Sequence, residues 1–228
     1  MSISAVQVEG DTITLTDERL GLADLVALTS ALRAPHQGAV LLRSAGPDFC
    51  LGRRRDAAGP PPSDPAEFRK VAVDPILDLY QAVGASPAPV IAAVTGRAIG
   101  LGFALAAACD MIIAADDATF ALPEIKSGFA PQLALTQVAS VLPAPLAFHL
   151  AVTGEPIGAA ALHAAGAVPV VAPAALVETV ARDYVAALTG PAAGVKSFLR
   201  QRSAGLRDGD REFAGEQLSA ALAGQGHR

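Results

Sequence analysis

Val90-Ile-Ala-Ala-Val-Thr-Gly-Arg-Ala-Ile-Gly-Leu-Gly-Phe-Ala-Leu-Ala-Ala-Ala-Cys-Asp110 holds the signal from which the rest of the chain is read. Pro89 to Val94 is a short apolar run bounded by turn residues, the pattern of a strand buried on both faces. Thr95-Gly96 turns the chain, and a helix is expected to begin among Gly100, Leu101 and Gly102 and to run to about Cys109. Working outward, Gly38 to Arg43 reads as a buried strand, and Leu22, Leu25, Val26, Thr29 and Leu32 recur at helical spacing until Pro35 stops them. Ala5 to Thr16 alternates around Glu9-Gly-Asp11 as an edge hairpin. Strand, helix, strand is the start of an α/β arrangement.

Downstream, Met111 to Ala115 and Ala118 to Leu122 read as short strands. Asp74-Pro75 offers a helix start, with Ile76, Leu77, Tyr80 and Val83 on its apolar face and an end near Gly84. After Thr153-Gly154, a helix is expected over Ala159–Ala165, a strand over Val168–Val171, and helices near Ala174–Leu188 and Ala192–Arg202. Gly52 to Ala66 is too rich in Gly and Pro for a regular element and reads as a mobile loop. The stretch from Ser127 to Gly154 lacks Asp, Glu, Lys and Arg, but Pro131, Pro143 and Pro145 break it into two short buried helices rather than a membrane span.

With 228 residues, 52% of them apolar, the chain can fold as one substantial domain. A net charge of -5 provides no basic field for nucleic acid or anionic lipid, so neither partner is expected. The two cysteines, Cys50 and Cys109, stand in apolar stretches without metal-ligand spacing and read as buried thiols, which fits a reducing cytoplasm. Met1 to Gln7 has neither a basic segment nor a long apolar one, so it does not read as a secretory signal. The histidines are scattered, and no metal site or Ser/His/Asp relay is expected. Gly100-Leu-Gly102 fails the dinucleotide fingerprint because Leu105 stands where the third glycine belongs.

Ala45-Gly-Pro-Asp-Phe-Cys-Leu-Gly52, Val90 to Gly102, Ala107-Ala-Cys-Asp110, Phe120-Ala-Leu-Pro-Glu124 and Leu150 to Ile157 together resemble successive motifs of the crotonase (enoyl-CoA hydratase/isomerase) superfamily. The resemblance implies an α/β fold, a crotonase-like spiral of ββα units over residues 1–173, followed by a helical region over 174–228 that packs on the core or on a neighbouring subunit. It further implies a homotrimer or hexamer and an acyl thioester substrate, with coenzyme A present as part of that substrate rather than as a permanently bound cofactor.

Within that resemblance Glu124 is the carboxylate acid/base, and the N–H groups of Leu51 and Leu101 are the oxyanion donors, with Gly52 and Gly100 permitting close approach of the thioester. Arg53, Arg54 and Arg55 follow as candidate ligands of the coenzyme A phosphates, with Lys196 and Arg200 as further candidates; a solvated patch is the competing reading. Asp110 is expected to be structural. Two positions depart from the pattern. Ala104 stands where hydratases of the family carry a second glutamate, and Gln132-Leu-Ala-Leu135 replaces a glycine-rich turn. A double-bond shift needs only one carboxylate, so the expected activity is enoyl-CoA isomerisation. A non-catalytic acyl-CoA-binding homologue and a weak hydratase or other crotonase-type lyase are the alternatives.

Overall fold

The computed structural model describes residues 5–54, 64–188, 190–200 and 215–216. The elements run β1 (Val6–Glu9), β2 (Thr12–Leu15), α1 (Leu22–Arg33), β3 (Val40–Ser44), α2 (Pro65–Phe68), a π-helical turn (Arg69–Val73), α3 (Asp74–Ala85), β4 (Val90–Val94), β5 (Arg97–Ile99) and α4 (Leu101–Ala108). They continue with β6 (Met111–Ala115), β7 (Thr119–Ala121), a 3-10 turn (Pro123–Ser127), α5 (Gln132–Val141), α6 (Ala144–Thr153), β8 (Ile157–Gly158), α7 (Ala159–Ala164), β9 (Val170–Ala172), a second 3-10 turn (Ala174–Leu176) and α8 (Val177–Ala187). Residues 191–200 are helical.

The main sheet has the order β1-β2-β3-β4-β6-β9, with β1 antiparallel to β2 and every other neighbour parallel. All five residues of β4 are buried, as the unbroken apolar run requires of a central parallel strand covered on both faces. A second, smaller sheet runs β5-β7-β8, and single bridges extend it from Ala98 to Cys50 and from Arg53 to Leu20. Successive passes of the chain therefore place a long strand in the main sheet, a short extended piece in the small one, and then a helix. This is the ββα spiral. Of the short pieces, β7 is read from the sequence over Ala118 to Leu122, whereas β5 and β8 are not, because two or three residues such as Arg97–Ile99 carry too little alternation to register.

The interior is apolar, with Phe49, Phe103 and Phe120 the bulkiest of its fully buried side chains. α4 is apolar all round and buried along its length apart from its last residue, as a helix enclosed on all sides must be. Phe103 on α4 packs against Phe120 on β7, with ring centroids 5.1 Å apart. Gly102 permits the closest approach. A Cβ there would lie 2.1 Å from the carbonyl oxygen of Cys50, so the loop after β3 is pressed directly onto the start of α4. The helical region after residue 173 joins the same core, since Val177 and Ala181 of α8 are fully buried in it.

Two carboxylates brace the loops. Asp48, buried, accepts from the Arg97 N–H (2.9 Å) and pairs with the Arg97 guanidinium through both oxygens (3.0 and 2.7 Å). The guanidinium holds the Asp48 carboxyl below its ordinary range despite burial. Asp24, also buried, accepts from the N–H groups of Ala5 (2.7 Å) and Gly21 (2.8 Å), joining the edge hairpin to the start of α1. Among the described residues no helix is long and apolar enough to cross a membrane, and no cluster of metal-ligating side chains is present.

Candidate active site

A cavity of about 560 Å³ opens where the loop after β3, the N-terminus of α4, the 3-10 turn after β7 and the start of α5 converge. Leu51, Gly52, Arg53, Gly100, Leu101 and Glu124 all line it. The structure thus brings these sequence-predicted residues together, whereas Arg54, Lys196 and Arg200 lie elsewhere and Arg55 lies outside the described residues.

Glu124 sits in the 3-10 turn that Pro123 begins, and the turn aims its carboxylate at Gly100. A Cβ at Gly100 would lie 2.7 Å from Oε1, and Gly100 has φ +54°, so both space and backbone conformation select glycine. Oε2 is buried and has no hydrogen-bond partner among the described residues. Burial pushes the Glu124 carboxyl above its usual range, opposed only in part by its own backbone N–H. A carboxylate so placed is a stronger proton acceptor than one in water.

Beside it, the first turn of α4 leaves the Leu101 N–H without an intrahelical acceptor and directed outward along the helix axis. The Glu124 carboxylate and the Leu101 N–H therefore meet at one glycine, Gly100. The Leu51 N–H does not meet its expected role, because it donates to the carbonyl of Glu18 at 2.6 Å. Its carbonyl is occupied as well, accepting from Arg19 Nη1 at 3.1 Å. The bridge between Leu20 and Arg53 is closed by Leu20 N–H to Gly52 O (3.0 Å) and Arg54 N–H to Leu20 O (2.9 Å). In such a ladder the N–H of Arg53 itself faces away from Leu20. The motif thus leads to a loop on the cavity wall, but the Leu51 N–H within it is already committed to Glu18.

The arginines separate. Arg53 lines the cavity, with Nη2 3.3 Å from the carbonyl of Val71. Arg54 does not, because its guanidinium pairs with Asp17 and with Asp24 (2.9 Å), bracing the connection between β2 and α1. Lys196 is likewise committed. Its buried ammonium pairs with Asp110 Oδ2 (2.7 Å) and donates to the carbonyls of Val83 (3.1 Å) and Ala88 (2.8 Å). Asp110 also accepts from the Val90 N–H at 2.7 Å, the structural role expected of it. Arg200 lies against Gly84 in a separate cavity of about 480 Å³.

Ala104 is fully buried in the core, one turn along α4 from Leu101, and does not line the cavity. Gln132 does, and so do Arg19 and Tyr80, which the motifs do not mark as site residues. Tyr80 was legible only as one member of the apolar face of α3. Its polar end carries no signal in helical periodicity.

Comparison with known proteins bears on the family and the fold. The family model described as enoyl-CoA hydratase/isomerase matches residues 21–217. The chain belongs to that family, within the crotonase superfamily. It is 38% identical over 106 residues to the probable enoyl-CoA hydratase echA6 of Mycobacterium bovis, a match covering 45% of this chain and 40% of that protein. It is 46% identical over 72 residues to the carnitinyl-CoA dehydratase of Escherichia coli, covering 31% of this chain and 28% of that protein. The matched segments thus span well under half the length of these relatives. The crystal structure of an enoyl-CoA hydratase from Mycobacterium smegmatis superposes with a TM-score of 0.78 at 27% identity, covering 96% of each chain.

Proposed function

We propose that the chain is an acyl-CoA enzyme that stabilises a thioester enolate and uses Glu124 as its sole carboxylate acid/base, with double-bond isomerisation of an enoyl-CoA as its reaction. The observation that carries this reading is the buried Oε2 of Glu124, without a partner among the described residues, beside Gly100 at the N-terminus of α4, with Ala104 walled off in the core. In the forward step Glu124 removes a proton from the α-carbon of a 3-enoyl thioester. The electron pair of that C–H bond moves into a dienolate, whose oxygen accepts a hydrogen bond from the N–H of Leu101 at the start of α4. Glu124, now protonated, returns the proton to the γ-carbon and leaves the 2-enoyl thioester. No water is consumed, so no second carboxylate is needed.

The names of the relatives above favour a second reading, hydration of an enoyl-CoA or its reverse. Hydration benefits from a group that holds and activates water, and alanine at position 104 cannot supply it. The test sets purified protein on 3-hexenoyl-CoA and on crotonyl-CoA. Formation of 2-hexenoyl-CoA with hydration of crotonyl-CoA slower by two powers of ten supports isomerisation. The opposite ratio establishes the hydratase, and saturable binding with neither reaction leaves an acyl-CoA-binding homologue.

The reading includes an oligomer, a trimer or hexamer. Phe148 on α6 and Phe198 in the helix over 191–200 are 69% and 60% exposed, large apolar side chains of the kind a subunit contact covers. Light scattering at micromolar concentration measures it, and a monomer would contradict it.

A further inference from the structure

Tyr80 is the most deeply buried polar side chain in the cavity wall. It stands on α3 one turn from Ile76, which lines the same wall, and it is only 4% exposed. Burial pushes the phenol well above its usual range, and the nearby Glu124 carboxylate and Cys50 thiol push the same way, so it stays an O–H at any working pH. No hydrogen bond to its hydroxyl is present among the described residues. Glu124 Oε2 likewise has no partner. The two groups therefore line the same cavity without bonding each other. Gln132, at the start of α5, brings a carboxamide to the same cavity.

We infer that Tyr80 is a specificity-determining residue, whose hydroxyl hydrogen-bonds an oxygen carried on the acyl chain, so that the site selects oxygen-bearing acyl thioesters over plain hydrocarbon ones. The inference rests on the acyl-thioester reading above. Its physical basis is the cost of stranding a buried polar group. Solvent entering the open cavity can hydrate the phenol, but a hydrocarbon chain displaces that solvent and returns no hydrogen bond. A chain with a hydroxyl or oxo group replaces it. Sites built around a substrate hydroxyl reject analogues lacking it far more strongly than apolar pockets reject an added one. Because this cavity is open at its mouth and water can follow a chain in, the expected preference is modest, about ten- to a hundred-fold.

The test is calorimetric binding of hexanoyl-CoA, 3-hydroxyhexanoyl-CoA and 5-hydroxyhexanoyl-CoA, made on Glu124→Gln protein to prevent turnover and repeated with Tyr80→Phe added. The expected result is at least tenfold tighter binding of one hydroxylated chain than of hexanoyl-CoA. With Tyr80→Phe that ratio should fall to within about threefold of one, while hexanoyl-CoA binds as well or better. Equal binding of all three to the tyrosine protein overturns the inference without needing the phenylalanine variant to fold. A preference that survives Tyr80→Phe in protein with an unchanged circular dichroism spectrum overturns it too. If none of the thioesters binds, the acyl-thioester reading fails with it. If the preference holds while wild-type protein neither shifts double bonds nor exchanges α-protons, only the isomerase reading falls.

Discussion

Replacing Gly100 by alanine probes the site where its geometry is tightest. The new Cβ would stand 2.7 Å from Glu124 Oε1, closer than a carbon and an oxygen can approach, and would have to be tolerated at φ +54°. The conformational strain costs about 1–3 kcal/mol of stability, which in a chain of this length lowers Tm by about 2–12 °C. The clash is relieved cheaply for folding, since the carboxylate is the far end of a flexible side chain. It is not relieved cheaply for chemistry. Moving the base by about 1 Å forfeits on the order of a hundredfold in rate. The assay pairs a thermal melt with double-bond shifting of 3-hexenoyl-CoA, and the expected variant is folded, binds acyl-CoA, and turns over about a hundredfold more slowly. Gly102→Ala is the control in the other direction. Its Cβ would meet the Cys50 carbonyl oxygen at 2.1 Å, backbone that cannot step aside, so it should fail to fold. A Gly100→Ala protein that keeps most of its rate would refute the placement of Glu124 against the α4 terminus.

Arg53→Ala should weaken coenzyme A binding, and more so at low salt, whereas Arg54→Ala should lower stability and leave affinity unchanged, because Arg54 is held by Asp17 and Asp24; calorimetry at two salt concentrations separates them. Since burial raises the Glu124 pKa, the base loses its proton-accepting form as pH falls through that raised value, and the acid limb of the pH–rate profile should lie above pH 4.5. The linkage has the matching sign. Between the unfolded and the raised folded pKa the native state binds more protons, so stability declines as pH rises through that window, and Glu124→Gln should flatten the decline in urea melts. Lys196→Met should cost about 3 kcal/mol in the same melts, by leaving buried acceptors on α3, the β4 approach and Asp110 without their cation.

Much of the fold was legible because its signals are local and strong. β4 and α4 are read from an apolar run, a turn and a glycine-led helix, and both end within a residue or two of where the sequence put them. The hairpin of β1 and β2 follows from alternation around Glu9-Gly-Asp11. The two helices read into Ser127–Gly154 formed as α5 and α6, but the expected burial holds only in part, since α6 leaves Phe148 and Val152 outward. The site was legible in its loops and not in its partnerships. Nothing local tells that the Leu51 N–H is taken by Glu18, that Arg54 is taken by Asp17 and Asp24, or that Lys196 is sunk against Asp110. Each of these pairs joins residues distant along the chain, and only the closed spiral brings them together. Tyr80 escaped for the opposite reason: its ring obeys the helix period so well that its hydroxyl went unnoticed.

The central claim is that Glu124 takes a proton from the α-carbon of a bound thioester. Its most direct test is proton exchange at that carbon in heavy water, followed by NMR, for wild-type and Glu124→Gln protein with hexanoyl-CoA. Wild-type protein should exchange the α-protons, and the amide variant should bind the thioester with nearly the same affinity while exchanging them slower by about two to four powers of ten. Exchange that persists in Glu124→Gln at most of the wild-type rate would contradict the account.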